Sequence, residues 1–226
     1  FSEITFTGRP SLQMDFRHAF LDFCVRAQAL RFGQFTLKSG RKSPYFFNAG
    51  VFHTGTRLRE LGGYYAAALE ADGTGFDLLF GPAYKGIPLA CATAMALAER
   101  GREVAWAFDR KEAKDHGEGG AIVGAPLNGA VMVVDDVISS GLSVAHSAAL
   151  IAGAGARLAG VVVALDRQER GRDGTGSATA QVSARHGVPV VAVARLADLL
   201  DFLADHPQLG QHLAAVADYR AQYGAA

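Results

Sequence analysis

The sequence is poor in the features that would place it in a special class. Its 226 residues include two cysteines, Cys24 and Cys91, each among apolar neighbours and without a partner at metal-ligand spacing. That excludes a disulfide framework or a cysteine-based metal site, and two buried free thiols are expected. No apolar run approaches the ~20 residues that a membrane-spanning helix needs. Charge of one sign is lacking too: 22 Lys+Arg balance 22 Asp+Glu, so the basic excess of a general nucleic-acid binder is absent. Half of the residues are hydrophobic, enough for one well-filled core. A soluble, cytoplasmic protein is expected, with neither nucleic acid nor membrane as partner. Residues 1–13 lack the basic-then-apolar order of a secretory signal and read as a leader or appended segment. Residues 14–226 show no repeat or linker and are expected to form one domain.

From Asp15 the chain alternates helix-like and strand-like segments. Asp15 suits the N-cap of a helix through Leu30, with Phe16, Phe20, Phe23 and Ala27 at helical spacing and Gly33 beyond its end. Short strands are predicted at Phe35–Leu37 and Pro44–Asn48, around a basic turn at 38–42. Helices are predicted over Thr56–Ala71, Gly86–Arg100, Val144–Ala154, near Ala178–His186, and twice more towards the C-terminus. Buried strands are predicted over Phe76–Phe80, Glu103–Phe108, from Val131, Gly160–Leu165 and Pro189–Ala194. Continuously apolar strands interleaved with helices predict an α/β fold, a mostly parallel central sheet flanked by helices with a small N-terminal element folded over it.

One of these strands ends in chemistry. The apolar run Val131-Met132-Val133-Val134 stops at Asp135-Asp136, and Val137-Ile138-Ser139-Ser140-Gly141-Leu142-Ser143 follows before an alanine-rich helix. Unpaired N–H groups at a helix start, the helix dipole and serine hydroxyls together favour a phosphate. Carboxylates would repel that phosphate. They suit ribose hydroxyls or a magnesium ion, so a phosphorylated sugar is the expected ligand.

In open parallel sheets ligands bind beyond the carboxyl ends of the strands. Three further strand ends carry cations: Lys85 in Gly81-Pro82-Ala83-Tyr84-Lys85-Gly86, Arg110 and Lys111 after Asp109, and Arg167 after Asp166. The stretch Asp109–Gly120 reads as the longest irregular segment, and its charges and glycines fit either a solvated loop or a mobile lid.

These motifs in this order resemble the type I phosphoribosyltransferases, and more narrowly the orotate phosphoribosyltransferase family. The segment Phe35-Thr36-Leu37-Lys38-Ser39-Gly40-Arg41-Lys42-Ser43-Pro44-Tyr45-Phe46-Phe47-Asn48 resembles the family's hood and its orotate-contacting strand. Residues 81–86 resemble its pyrophosphate loop and Arg110–Gly117 its catalytic loop, while Leu165–Gly171 completes the set. The resemblance implies Mg2+-dependent transfer of a phosphoribosyl group from phosphoribosyl pyrophosphate to orotate, on the way to UMP. The metal would be held mainly through substrate oxygens, without a protein metal site. It implies catalytic roles for Lys85, Lys114, His116, Asp135 and Asp136. Phosphoribosyl pyrophosphate would meet Lys38, Tyr84, Lys85, Arg110, Lys111, Lys114, His116, Asp135, Asp136, Val137, Ile138, Ser139, Ser140, Gly141, Leu142 and Ser143. Orotate would meet Phe46, Phe47, Ser139 and Arg167. The family acts as a homodimer with shared active sites, so Lys114 and His116 would serve the neighbouring subunit. Family members often carry threonine where Leu142 stands.

Ordinary structural roles compete with several of these assignments. Adjacent strand residues face opposite sides, so at least one of Phe46 and Phe47 should pack in the core. Arg167 could simply pair with Asp166 or Glu169, and Lys38 could be solvated. Two carboxylates closing a fully apolar strand are costly without a ligand. A purine phosphoribosyltransferase and a regulator that senses phosphoribosyl pyrophosphate without turnover are the alternatives. Arg167 disfavours the first, because a cation suits the orotate carboxylate, and the neutral charge and full set of lid residues disfavour the second.

Overall fold

The computed structural model describes residues 15–37, 39–114, 120–171 and 176–225, with residues 111–114 and 120 described by their backbone alone. Residues 1–14, Lys38 and residues 115–119, which include His116, lie outside the described residues.

Asp15 does cap the first helix, α1 (Phe16–Arg26), by accepting the Arg17 N–H. The helix is one turn shorter than the spacing predicts. Gln28 adopts a positive φ of 62°, and this turn delivers Ala29 and Leu30 into the core as the start of β1 (Leu30–Thr36). Gly33 is therefore not a helix end. It sits inside β1 with φ 150° where the pairing to β2 (Lys42–Phe47) shifts register between Phe32 and Phe35. The antiparallel β1–β2 hairpin is the hood.

The main body alternates as expected: α2 (Gly55–Asp72), β3 (Leu78–Gly81), α3 (Gly86–Glu99), β4 (Ala105–Lys114), β5 (Gly120–Gly124), β6 (Ala130–Asp135), α4 (Leu142–Gly153), β7 (Arg157–Asp166), α5 (Ala178–His186), β8 (Val190–Arg195), α6 (Leu196–Asp205) and α7 (Leu213–Tyr223). The six strands from β3 onward form one sheet in the order β5-β4-β3-β6-β7-β8. All of its pairings are parallel except β4–β5. The fold is α/β, with a mostly parallel sheet flanked by helices.

β6 lies inside the sheet, and alternation splits its apolar run between two cores. Met132 and Val134 join the cluster under α1, α2 and α3, while Val131 and Val133 join Val144 and Ile151 of α4 and Val182 of α5. All four are fully buried, and each such side chain contributes about 1.5–3 kcal/mol by leaving water. Both faces are thus occupied, which is why the strand reads as unbroken hydrophobe. Cys24 is buried as expected, whereas Cys91 is only half-buried.

The largest departure concerns Asp109–Gly120. Residues 109–114 extend β4, and β5 returns antiparallel beside it, pairing Asp109 with Ile122 and Lys114 with Gly120. The described part of the segment is strand: 109–114 on one side and Gly120, the start of its antiparallel partner, on the other. Backbone pairing along a sheet edge supplies what its sequence, empty of apolar alternation, does not advertise.

Candidate active site

The carboxyl ends of β3, β4, β6 and β7 open on the same edge of the sheet, and the predicted residues gather there in two groups. The first surrounds the acidic pair. Asp136 is buried, yet its Oδ2 lies 2.6 Å from Nζ of Lys85, whose side chain is 60% exposed, and its Oδ1 accepts the Val137 N–H at 3.0 Å. Asp135 turns the other way. Its Oδ1 accepts the Asp136 N–H at 2.8 Å and its Oδ2 accepts the Ser143 hydroxyl at 3.1 Å. Burial pushes the Asp135 carboxyl up to about 6, with the Asp136 N–H bond opposing and the Asp136 charge adding to the rise. Tyr65 fixes the strand end from below, its hydroxyl donating to the Asp135 carbonyl at 2.8 Å.

The turn after Asp136 leads directly into α4, which begins at Leu142, two residues earlier than predicted. Gly141 takes φ 72°, and a Cβ there would come within 2.9 Å of Val182 Cγ2, so both conformation and space call for glycine. No side chain caps this helix end. Ser139 and Ser140 are exposed, and Leu142, 71% exposed, projects beside them.

Lys85 belongs to the loop between β3 and α3. Gly86 packs so closely that a Cβ would meet Pro82 Cδ at 2.5 Å and the Val134 carbonyl at 2.7 Å, which seats the loop directly on the end of β6. The Ala83–Tyr84 peptide is cis, and Tyr84 is exposed. Behind the loop, Lys85 also borders an apolar cleft of about 340 Å³ with Phe52, His53, Thr54, Leu58 and Pro88.

The second group joins the hood to β7. Arg167 Nε donates to Glu169 Oε1 at 2.5 Å and Nη2 to Ser43 Oγ at 3.0 Å, while the guanidinium stacks 4.1 Å from the Tyr45 ring centre. The pairing with Glu169 is the ordinary partner named above, but it is largely buried rather than superficial. Phe47 packs against the main core, and Phe46, on the opposite face of β2, stacks on Phe35 at 5.5 Å. The C-terminal segment straps this group down: Ala225 N donates to Gln168 O, Arg170 N to Tyr223 O, and Arg41 stacks on Tyr223 while bonding the Arg170 carbonyl.

The structure thus joins Lys85 to Asp136, Asp135 to Ser143, and Arg167 to the strand that carries Phe46 and Phe47. Arg110 follows Asp109 on β4, and strand alternation sends the two to opposite faces. Lys111 and Lys114 lie on β4, whereas Lys38 and His116 lie outside the described residues. Sequence reasoning missed Asp109, Ser43 and Tyr45. Asp109 is buried, accepting the Ala83 N–H at 2.6 Å and lying 3.3 Å from His146 Nε2. Its signal was the small residue Ala107 two positions earlier, marking an inward face that continues to 109.

The sequence pattern of the phosphoribosyl transferase domain family matches residues 51–180, the stretch that holds both the Lys85 loop and the acidic pair. Orotate phosphoribosyltransferase from Chromobacterium violaceum is 58% identical over 93% of this chain and 98% of its own length. The chain belongs to the orotate phosphoribosyltransferase family. The family's enzyme from Thioalkalivibrio sulfidiphilus is 57% identical over 92% of this chain and 98% of its own. The crystal structure of orotate phosphoribosyltransferase from Francisella tularensis superposes with a TM-score of 0.84 at 39% identity, covering 92% of this chain and all of that one.

Proposed function

We propose that the protein transfers the 5-phosphoribosyl group of phosphoribosyl pyrophosphate to orotate, forming orotidine 5′-phosphate and pyrophosphate in the synthesis of UMP. The observation that carries this reading is the convergence of Lys85, Asp136, Asp135 and Ser143 at one strand end, next to an uncapped helix start. A ring nitrogen of orotate attacks the anomeric carbon, the bond to pyrophosphate breaks, and positive charge develops on the ribose. Catalysis then comes from neutralising the leaving group and excluding water, and no protein nucleophile is needed.

In this reading the α4 start and residues 137–143 wrap the 5′-phosphate, Asp135 and Asp136 take the ribose hydroxyls, and Tyr84, Lys85, Arg110 and Lys111 meet the pyrophosphate with Lys38. Arg167, Ser139, Phe46 and Phe47 define the base pocket. Residues 14–226 act as one domain. Among the described residues no three His, Cys, Asp or Glu side chains form a metal cage. Mg2+ would be held mainly by oxygens of the substrate, as suits an ion that takes few protein ligands, with the Asp135 and Asp136 carboxylates beside it on the ribose hydroxyls. Bound there, Mg2+ would spread the charge of the departing pyrophosphate.

A homodimer completes the site, with Lys114 and His116 reaching the partner's crevice. Support comes from exposed apolar side chains: Trp106, 37% exposed, stacks on Phe108 of β4, and Met95 of α3 is 64% exposed. No helix among the described residues is long and apolar enough to cross a membrane, and the cytoplasm is the compartment we assign. The test is an ultraviolet assay: orotate absorbance should fall when Mg2+ and phosphoribosyl pyrophosphate are both supplied, with no change for uracil or purines. Folded protein that leaves orotate unconsumed would sink this reading.

A further inference from the structure

Asp109 lies where three parts of the crevice meet. It follows Ala107 on the face of β4 that packs towards α4, and only 5% of its surface is exposed. One carboxylate oxygen holds the Ala83 N–H at 2.6 Å and the other lies 3.3 Å from His146 Nε2 on α4. Ala83 is near the middle of the 81–86 loop. The far end of that loop is pinned by backbone, since Gly86 N donates to Pro82 O and Gly86 has no room for a Cβ. Asp109 supplies a side-chain anchor for the middle.

A buried carboxylate is a poor neighbour for pyrophosphate, because like charges repel. Its presence is accounted for when both oxygens are engaged and one sets the loop. A carboxylate accepting a backbone N–H makes a short, charge-assisted bond, and deleting it strands that N–H in a partly buried place. Lys85 stands two residues beyond Ala83, its ammonium held by Asp136 at 2.6 Å. Its reach therefore depends on the height at which the loop is fixed.

We propose that Asp109 is a positioning residue: by accepting the Ala83 N–H it sets the 81–86 loop, and through it the place where Lys85 meets the pyrophosphate group. This rests on the function proposed above. Asparagine keeps an acceptor oxygen at the same distance and alanine does not, so the two substitutions separate the bond from bulk packing.

The experiment is steady-state kinetics of wild type, Asp109→Asn and Asp109→Ala, each with both substrates varied. Asp109→Ala should raise KM for phosphoribosyl pyrophosphate by roughly tenfold, the equivalent of one charge-assisted hydrogen bond. KM for orotate should stay put, and Asp109→Asn should recover most of the loss. In a Lys85→Ala background the effect of Asp109→Ala should shrink, because the group it positions is gone. An unshifted KM in Asp109→Ala, equal rises for both substrates, or an asparagine variant as impaired as alanine would overturn the proposal. If Asp109→Ala does not fold, Asp109→Ser, whose hydroxyl is one bond short of Ala83, is held to the same outcomes. Wild type that fails to consume orotate would instead overturn the functional reading, so the two failures are distinguishable.

Discussion

Lys85 Nζ lies 2.6 Å from Asp136 Oδ2, a contact between a lysine largely open to solvent and a carboxylate that is not. The group assigned to pyrophosphate and the group assigned to ribose hold one another. A substrate that offers phosphate to the lysine and hydroxyls to the aspartate replaces one good pair with two.

Lys85→Ala should therefore lower kcat/KM for phosphoribosyl pyrophosphate by about 10²–10³-fold, the usual loss for one charge-stabilising donor. The melting temperature should move little, because an exposed cation contributes weakly to folding. Initial rates and thermal melts on one preparation check both halves. A loss under tenfold would remove Lys85 from the leaving-group assignment.

The raised pKa of Asp135 has a stability consequence of definite sign. With its carboxyl at about 6 in the fold against an ordinary value of 3.8, the folded protein holds this proton more tightly than the unfolded chain does. The group's stabilising contribution is complete below the ordinary value and is lost as pH rises through about 6. Asp135→Asn should then melt a few degrees higher than wild type at pH ~7.5, with the gain shrinking towards pH ~4, while turnover falls. Melts at the two pH values are the check, and an equal gain at both would mean that ionisation is not its source.

Leu142 projects from the first turn of α4 beside Ser139 and Ser140 without covering any core. Leu142→Thr supplies a hydroxyl and should lower KM for phosphoribosyl pyrophosphate by roughly two- to tenfold, the worth of one net hydrogen bond. An unchanged KM would mean that backbone donors already saturate the 5′-phosphate.

Trp106→Glu places a charge against Phe108 on the exposed apolar surface of β4. Sedimentation should then report monomers, with activity lost alongside, since Lys114 and His116 would no longer reach a neighbouring crevice. Mixing Lys114→Ala with Asp135→Ala subunits should restore activity in verified heterodimers. A dimer that survives Trp106→Glu would move the interface elsewhere, and heterodimers without recovery would end the sharing of sites.

How much could be read in advance depended on whether a feature was contiguous. Residues 131–143 form a strand, an acidic edge and a helix start in unbroken order, so their geometry follows from local rules, and the helix expected near Ala178–His186 spans those residues. Failures came where tertiary contacts decide. Nothing local says that Gln28 will take a positive φ and end α1, because the gain lies in burying Ala29 and Leu30. The second half of β4 carries charge instead of alternation and is held by backbone pairing to β5. Asp109 looked like one more solvated acid in that stretch, since its partners, Ala83 and His146, are 26 and 37 residues away.

The two groups of the proposed site are written in different ways in the chain. The group we assign to ribose and phosphate is one continuous phrase from β6 into α4. The group we assign to the base is assembled from the hairpin at 43–47, the β7 exit at 167–169, and the strap at 219–225. A change of acceptor base would therefore need coordinated edits at the hairpin, the β7 exit and the C-terminal helix, three stretches far apart in the chain, while the Asp135–Asp136 carboxylates stay as they are.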